Sequence, residues 1–116
     1  MLQRYYSRLA KVGATVKFGC ATNLVEEEID WSRLGTRGSR HRDIYVPYRG
    51  LVDLGLTPKF SVLDRNQSFT LIIHNVTEDD TATYRCVEDS GLGNERKYRL
   101  TVQGAVYAFL HSCVCV

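Results

Sequence analysis

Charge of one sign is scarce in this chain: fifteen Lys and Arg against thirteen Asp and Glu leave a formal charge of +2, too little on its own to argue for a nucleic-acid partner. Histidine is sparse as well, at positions 41, 74 and 111. None of the three forms a nucleophile-base pair and no glycine-rich phosphate loop is present, so catalysis finds no support and no cofactor is implied. The start, Met1-Leu2-Gln3-Arg4 running into Tyr5-Tyr6-Ser7-Arg8, lacks the apolar core of a signal peptide. An exported form would therefore be a mature fragment with Met1 as an added start. The apolar run from Ala105 to Val116 is 12 residues long, is broken by His111 and Ser112, and is too short to span a bilayer. It suits the beginning of a membrane segment continued downstream, a linker, or an artefact of the chain's end. Convincing helical periodicity, internal repeats and low-complexity tracts are all missing.

What is present is an ordinary globular composition, 44% hydrophobic and 24% charged over 116 residues, enough for one domain with a real core. Short strands separated by turns account for most of it. Val16, Phe18 and Cys20 alternate with Lys17 and Gly19, and Ile29-Asp30-Trp31 resumes the alternation. Ile44-Tyr45-Val46 reads as a short strand held at an edge by Pro47. Phe60 and Val62, then Phe69, Leu71 and Ile73, then Ala82, Tyr84 and Cys86, and finally Tyr98, Leu100 and Val102 continue the pattern. Ser90-Gly91-Leu92-Gly93-Asn94 reads as a hairpin turn between the last two. Two of the four cysteines, 20 and 86, stand 66 positions apart, a spacing that suits a long-range bridge and not a metal knuckle.

Taken together, several pieces resemble an immunoglobulin variable-type (V-set) domain over residues 9 to 102. They are Gly13-Ala14-Thr15-Val16 before Cys20, Trp31, Lys59-Phe60-Ser61-Val62, Leu71-Ile72-Ile73-His74-Asn75-Val76, and Asp80-x-Ala82-x-Tyr84-x-Cys86. The resemblance implies an all-β, two-sheet Greek-key sandwich across residues 1–104, with 105–116 as a tail. It implies a Cys20–Cys86 bridge, which would stabilise the fold by ~4 kcal/mol in the chain-entropy model, with Trp31 packed on it and Leu71 and Tyr84 in the core. It further implies that the Tyr84 hydroxyl turns back to backbone near Asp80, and that Lys59 pairs with Asp80, where the family usually has arginine. A disulfide of this kind belongs outside the cell or on its surface. The aromatic-glycine joining segment of antigen receptors is missing, so a germline immune-type or adhesion receptor fits better than a rearranging one.

Five features are candidates for function. The first is the face of strands G, F, C and C′, where alternation turns Ser32, Leu34, Arg85, Val87, Lys97 and Arg99 outward; V-type domains bind protein partners or a second copy there, while an ordinary solvated sheet face has the same composition. The second is a basic loop of Arg33, Arg37, Arg40 and Arg42, with His41 between and Arg49 nearby, suited to acidic glycans or to nothing beyond a charged turn. The third is the acidic run Glu26-Glu27-Glu28, complementary to a basic partner or simply solvated. The fourth is a pair of glycosylation sequons, Asn66-Gln67-Ser68 and Asn75-Val76-Thr77. The fifth is Cys113-Val114-Cys115 beside His111, which does not bring together the four ligands of a zinc site and is more in keeping with a tail of reactive thiols open to intermolecular disulfides. Membrane attachment through downstream sequence, a soluble glycan-binding effector and a structural spacer all stay open as roles.

Overall fold

A computed structural model of the chain describes residues 3–21, 29–35, 41–46, 50–52, 58–65, 68–88 and 94–104. Among the described residues nine strands make two sheets. A six-stranded sheet has the order β1 (Gln3–Lys11), β9 (Glu95–Gln103), β8 (Ala82–Glu88), β3 (Ile29–Arg33), β4 (Arg42–Val46) and β5 (Gly50–Leu51). A three-stranded sheet has the order β2 (Val16–Phe18), β7 (Ser68–Ile73) and β6 (Phe60–Arg65). Between β7 and β8 lies a single 3-10 turn, Glu78–Asp80.

Period-two alternation sends one side of each strand into the space between the sheets. Val16 and Phe18 from β2, Leu71 and Ile73 from β7, Ile29 and Trp31 from β3, Ala82, Tyr84 and Cys86 from β8, and Leu100 and Val102 from β9 are all buried in one core. At Trp31/Ser32 the β3–β4 register shifts, a bulge that lets consecutive residues of β4 serve the core: Ile44 is fully buried and Tyr45 packs against the cluster.

Three links tie the sheets together. The Cys20–Cys86 disulfide joins the end of β2 to β8 across a Cα–Cα distance of 6.5 Å. Trp31 stands opposite Cys86 in the register, and its Nε1–H donates to the Phe69 carbonyl of β7 at 3.1 Å. Tyr98 stacks on Phe18 at 4.4 Å between ring centroids and on Tyr6 at 5.1 Å, and its hydroxyl donates to the Gly19 carbonyl at 2.5 Å.

Strand β1 was not expected from the sequence. All nine of its residues pair in parallel with β9, which leaves β2 as an edge of the small sheet. The chain changes sheets at Val12–Ala14: the Val12 N–H donates to Gln103 of β9, whereas the Gly13 N–H donates to Val76 at the end of β7. Gly13 takes φ 93° in that step, a conformation open to glycine without the Cβ penalty. The expected hairpin at 90–94 lies, apart from Asn94, outside the described residues, as does the edge position of Pro47.

Candidate functional site

The outer side of the six-stranded sheet is built by register. Opposite the inward Trp31–Cys86 pair, the next row runs Asp43, Ser32, Arg85, Lys97 and Tyr5 across β4, β3, β8, β9 and β1. The row below carries Thr83, Arg99 and Ser7, with the Leu34 N–H bonded to the Thr83 carbonyl at 2.8 Å. Leu9 follows beside Thr101. At ~4.8 Å per strand the row from Tyr5 to Asp43 spans roughly 19 Å.

Two expected contact residues need correction. Ser32 and Val87 stand on this face but are buried, at 2% and 6% exposure. They are short side chains in interior strands, flanked in the register by longer ones such as Arg85 beside Ser32, and they form the floor of the face and not its contact layer. Arg85 is itself half-buried and pairs with Glu95 at 3.2 Å. Leu34, Lys97 and Arg99 are half-exposed. The apolar groups that stand out farthest come from the strand the sequence reading passed over: Tyr5 is 65% exposed and Leu9 59%. Lys11, Lys97 and Arg99 gather on the β1–β9 half, where Glu95 is taken up by Arg85, and the β3–β4 half carries Asp43, which His41 approaches to 3.3 Å, and Asp30, one of whose carboxylate oxygens is buried.

At the opposite end from the disulfide, a polar corner fixes how β7 enters β8. Thr77 caps the 3-10 turn: its hydroxyl accepts from the Asp79 N–H at 3.3 Å, while the Thr77 N–H donates to Asp80 Oδ2 at 2.8 Å. The Lys59 ammonium donates to the same carboxylate at 2.8 Å, to the His74 carbonyl at 3.2 Å and to the Asn75 carbonyl at 3.1 Å. Three acceptors match the three protons of an ammonium, a physical reason for lysine where a guanidinium fork is usual. The Tyr84 hydroxyl donates to the Asp80 carbonyl at 2.7 Å. Burial pushes its pKa up to about 12, with Arg33 pulling the other way and Asp80 adding to the rise. Tyr45 is also raised, by burial and then by Asp64.

Arg33 belongs to this corner and not to a free basic loop. It closes β3, donates to the Asp79 carbonyl at 2.7 Å and lies 6.0 Å from the centre of the Tyr84 ring. Arg42 is exposed on β4, opposite Arg33. Arg37, Arg40 and Arg49, the acidic run 26–28, Asn66 and the thiols at 113 and 115 lie outside the described residues. Asn75 is described and exposed.

Near the disulfide, a half-open cavity of about 190 Å³ is lined by Arg4, Arg96 and Glu88 among others. It falls short of the ~300 Å³ at which small-molecule pockets begin. Among the described residues no three His, Cys, Asp or Glu side chains are placed to hold a metal ion, and no helix is long and apolar enough to cross a membrane.

Comparisons with known proteins agree with this architecture. Among solved structures, the chain is similar to the first immunoglobulin domain of RIG-5, crystallised as a homodimer, at 19% identity and a TM-score of 0.70, over 84% of this chain and 90% of that one. It is equally similar to the first immunoglobulin domain of the mouse polymeric immunoglobulin receptor, at 20% identity and a TM-score of 0.70, over 85% and 90% of the two chains. Among curated proteins none matches the chain. The sequence model of the immunoglobulin V-set domain matches residues 4–103, a stretch that takes in β1 from Arg4 onward as well as the bridge, the indole and the tyrosine corner. By that match the chain belongs to the immunoglobulin V-set family.

Proposed function

We propose that this domain is an extracellular recognition module of an immune-type or adhesion receptor, binding a protein partner through the outer face of its six-stranded sheet. The observation that carries the reading is the pairing of Tyr5 and Leu9, both well exposed, with Leu34, Lys97 and Arg99 on one face. Exposed apolar side chains on the edge strand β1, beside the basic side chains of β9, make a surface that a protein partner can cover. Binding, not catalysis, is the mechanism, in keeping with a family that is generally non-enzymatic.

A second copy of the chain is the partner that the charge distribution favours. A two-fold axis through the face would bring Lys97 and Arg99 of one copy toward Asp43 of the other, a pairing that repeats itself across the axis as an isologous interface needs. The homodimeric state of the RIG-5 domain is consistent with this use of the fold. The test is sedimentation of the wild type against Leu9→Asp and Leu34→Asp. Wild type should associate reversibly and both variants should be monomeric. A monomeric wild type would remove the second copy as partner, and unaltered association in both variants would remove the face.

A further inference from the structure

We propose that Asn75 carries an N-linked glycan, and that this sugar shields the small-sheet end of the domain while leaving the six-stranded face open. The inference rests on the extracellular reading above for access to the glycosylation machinery.

The chain's two sequons both flank β7. Asn66 falls in the sequence between β6 and β7, and Asn75 follows β7 directly. No strand of the six-stranded sheet carries one. A sequon is only a motif until its asparagine is accessible, and at Asn75 the structure supplies that. The residue is exposed and takes φ 48°, the left-handed conformation in which asparagine is enriched and which lifts it out of strand geometry. Its backbone carbonyl is held by Lys59, while its side-chain amide makes no hydrogen bond among the described residues. Within 4 Å of the Cβ position at Gly13, the Asn75 side chain is the one neighbour, at 4.0 Å. The residue is thus anchored through its backbone carbonyl, with an exposed side chain.

Direction follows from topology. Asn75 lies at the end of the sandwich away from the disulfide, against the β1–β2 turn, where the Gly13 N–H meets the Val76 carbonyl. A glycan there covers exposed Val12 in the turn and reaches over the outer side of the small sheet, where Leu63 is 45% exposed. Tyr5, Lys97 and Arg99 lie on the other sheet.

The experiment is secretion of the chain behind an added signal sequence from cells that perform N-glycosylation, followed by peptide mapping before and after peptide N-glycosidase. Wild type should carry a sugar on the Asn75 peptide, with aspartate there after enzymatic removal. Thr77→Ser should keep it, since serine serves both the sequon and the cap. Asn75→Gly should lose it while keeping the left-handed turn. Secreted, disulfide-bonded protein with an unmodified Asn75 would overturn this proposal and leave the recognition face untouched. Retention inside the cell with Cys20 and Cys86 reduced would overturn the extracellular reading and this one with it. Enzymatic removal of the sugar should leave sedimentation of the protein shell unchanged; a changed association state would refute the placement away from the face.

Discussion

The hydroxyl of Tyr84 and the carbonyl of Asp80 are joined by a buried hydrogen bond of 2.7 Å, four residues apart along the chain. It closes the turn that leads from one sheet into the other. Tyr84→Phe removes the donor and leaves a buried carbonyl short of a partner, at a cost of about 1–3 kcal/mol, read as a lower midpoint in denaturant with an unchanged slope.

The same phenol makes stability depend on alkaline pH. Its folded pKa, about 12, is above the ordinary value of 10. Below pH 10 the proton is held in both states and the stability is fully present. Between 10 and 12 the unfolded chain releases it first, so stability falls, by roughly 3 kcal/mol when the transition is complete. Denaturant midpoints from pH 9 to 12 should fall more steeply for wild type than for Tyr84→Phe, with Tyr45 leaving a smaller residual slope. Parallel curves would place the proton elsewhere.

Asp80 serves Lys59 and the Thr77 N–H with one nearly buried carboxylate oxygen. Asp80→Ala therefore loses the pair and the cap together, and about 3 kcal/mol is expected. Lys59→Met should cost less, because Asp80 keeps the Thr77 N–H. Lys59→Arg should fall between Lys59→Met and wild type, since a guanidinium reaches the carboxylate but cannot point three protons at three acceptors set around one atom. Urea melts of the three variants rank these directly, and Lys59→Arg at or above wild-type stability would contradict the three-acceptor account.

The core was legible because its signals are local and periodic. Val16-x-Phe18-x-Cys20 and Ala82-x-Tyr84-x-Cys86 show period two in sequence and in burial, and Leu71-Ile72-Ile73 shows it in burial. Strand β1 gave no such signal: Tyr5, Ser7 and Leu9 face out while Arg4, Tyr6 and Arg8 share the other side, so polarity does not alternate with direction. What holds it is pairing with β9, 90 or more positions later, and a parallel edge strand leaves no local mark. The outer face was misjudged for the same reason. Period two gives the side of the sheet on which Ser32 and Val87 lie, but not whether longer neighbours cover them, and Arg33 reads as loop charge until Asp79 is brought beside it.

The disulfide closes a separation of 66 residues, and its loss relaxes a large loop in the unfolded chain, worth about 4 kcal/mol. The Cys20→Ala/Cys86→Val double variant should melt far lower than wild type in non-reducing buffer, and a reductant should lower wild type toward it while leaving the variant's melt unchanged. Equal melts would mean that the non-covalent core, with Trp31 and Tyr98 in it, holds the sheets without help from the bridge.

Arg33 and Arg42 face each other across β3 and β4, yet only Arg33 is bound to the corner, through Asp79 and the Tyr84 ring. Arg33→Ala should destabilise the domain by about 1–2 kcal/mol, and because Arg33 lowers the Tyr84 pKa, it should also move the alkaline transition to higher pH. Arg42→Ala, on an exposed side chain, should change stability by no more than ~0.5 kcal/mol. The same pair separates structure from binding in the basic segment. If acidic glycans were its ligand, Arg42→Ala would elute from heparin at lower salt with its melt unchanged, whereas Arg33→Ala would lose stability first. Identical melts for the two variants would show that the Arg33–Asp79 bond does not hold the corner.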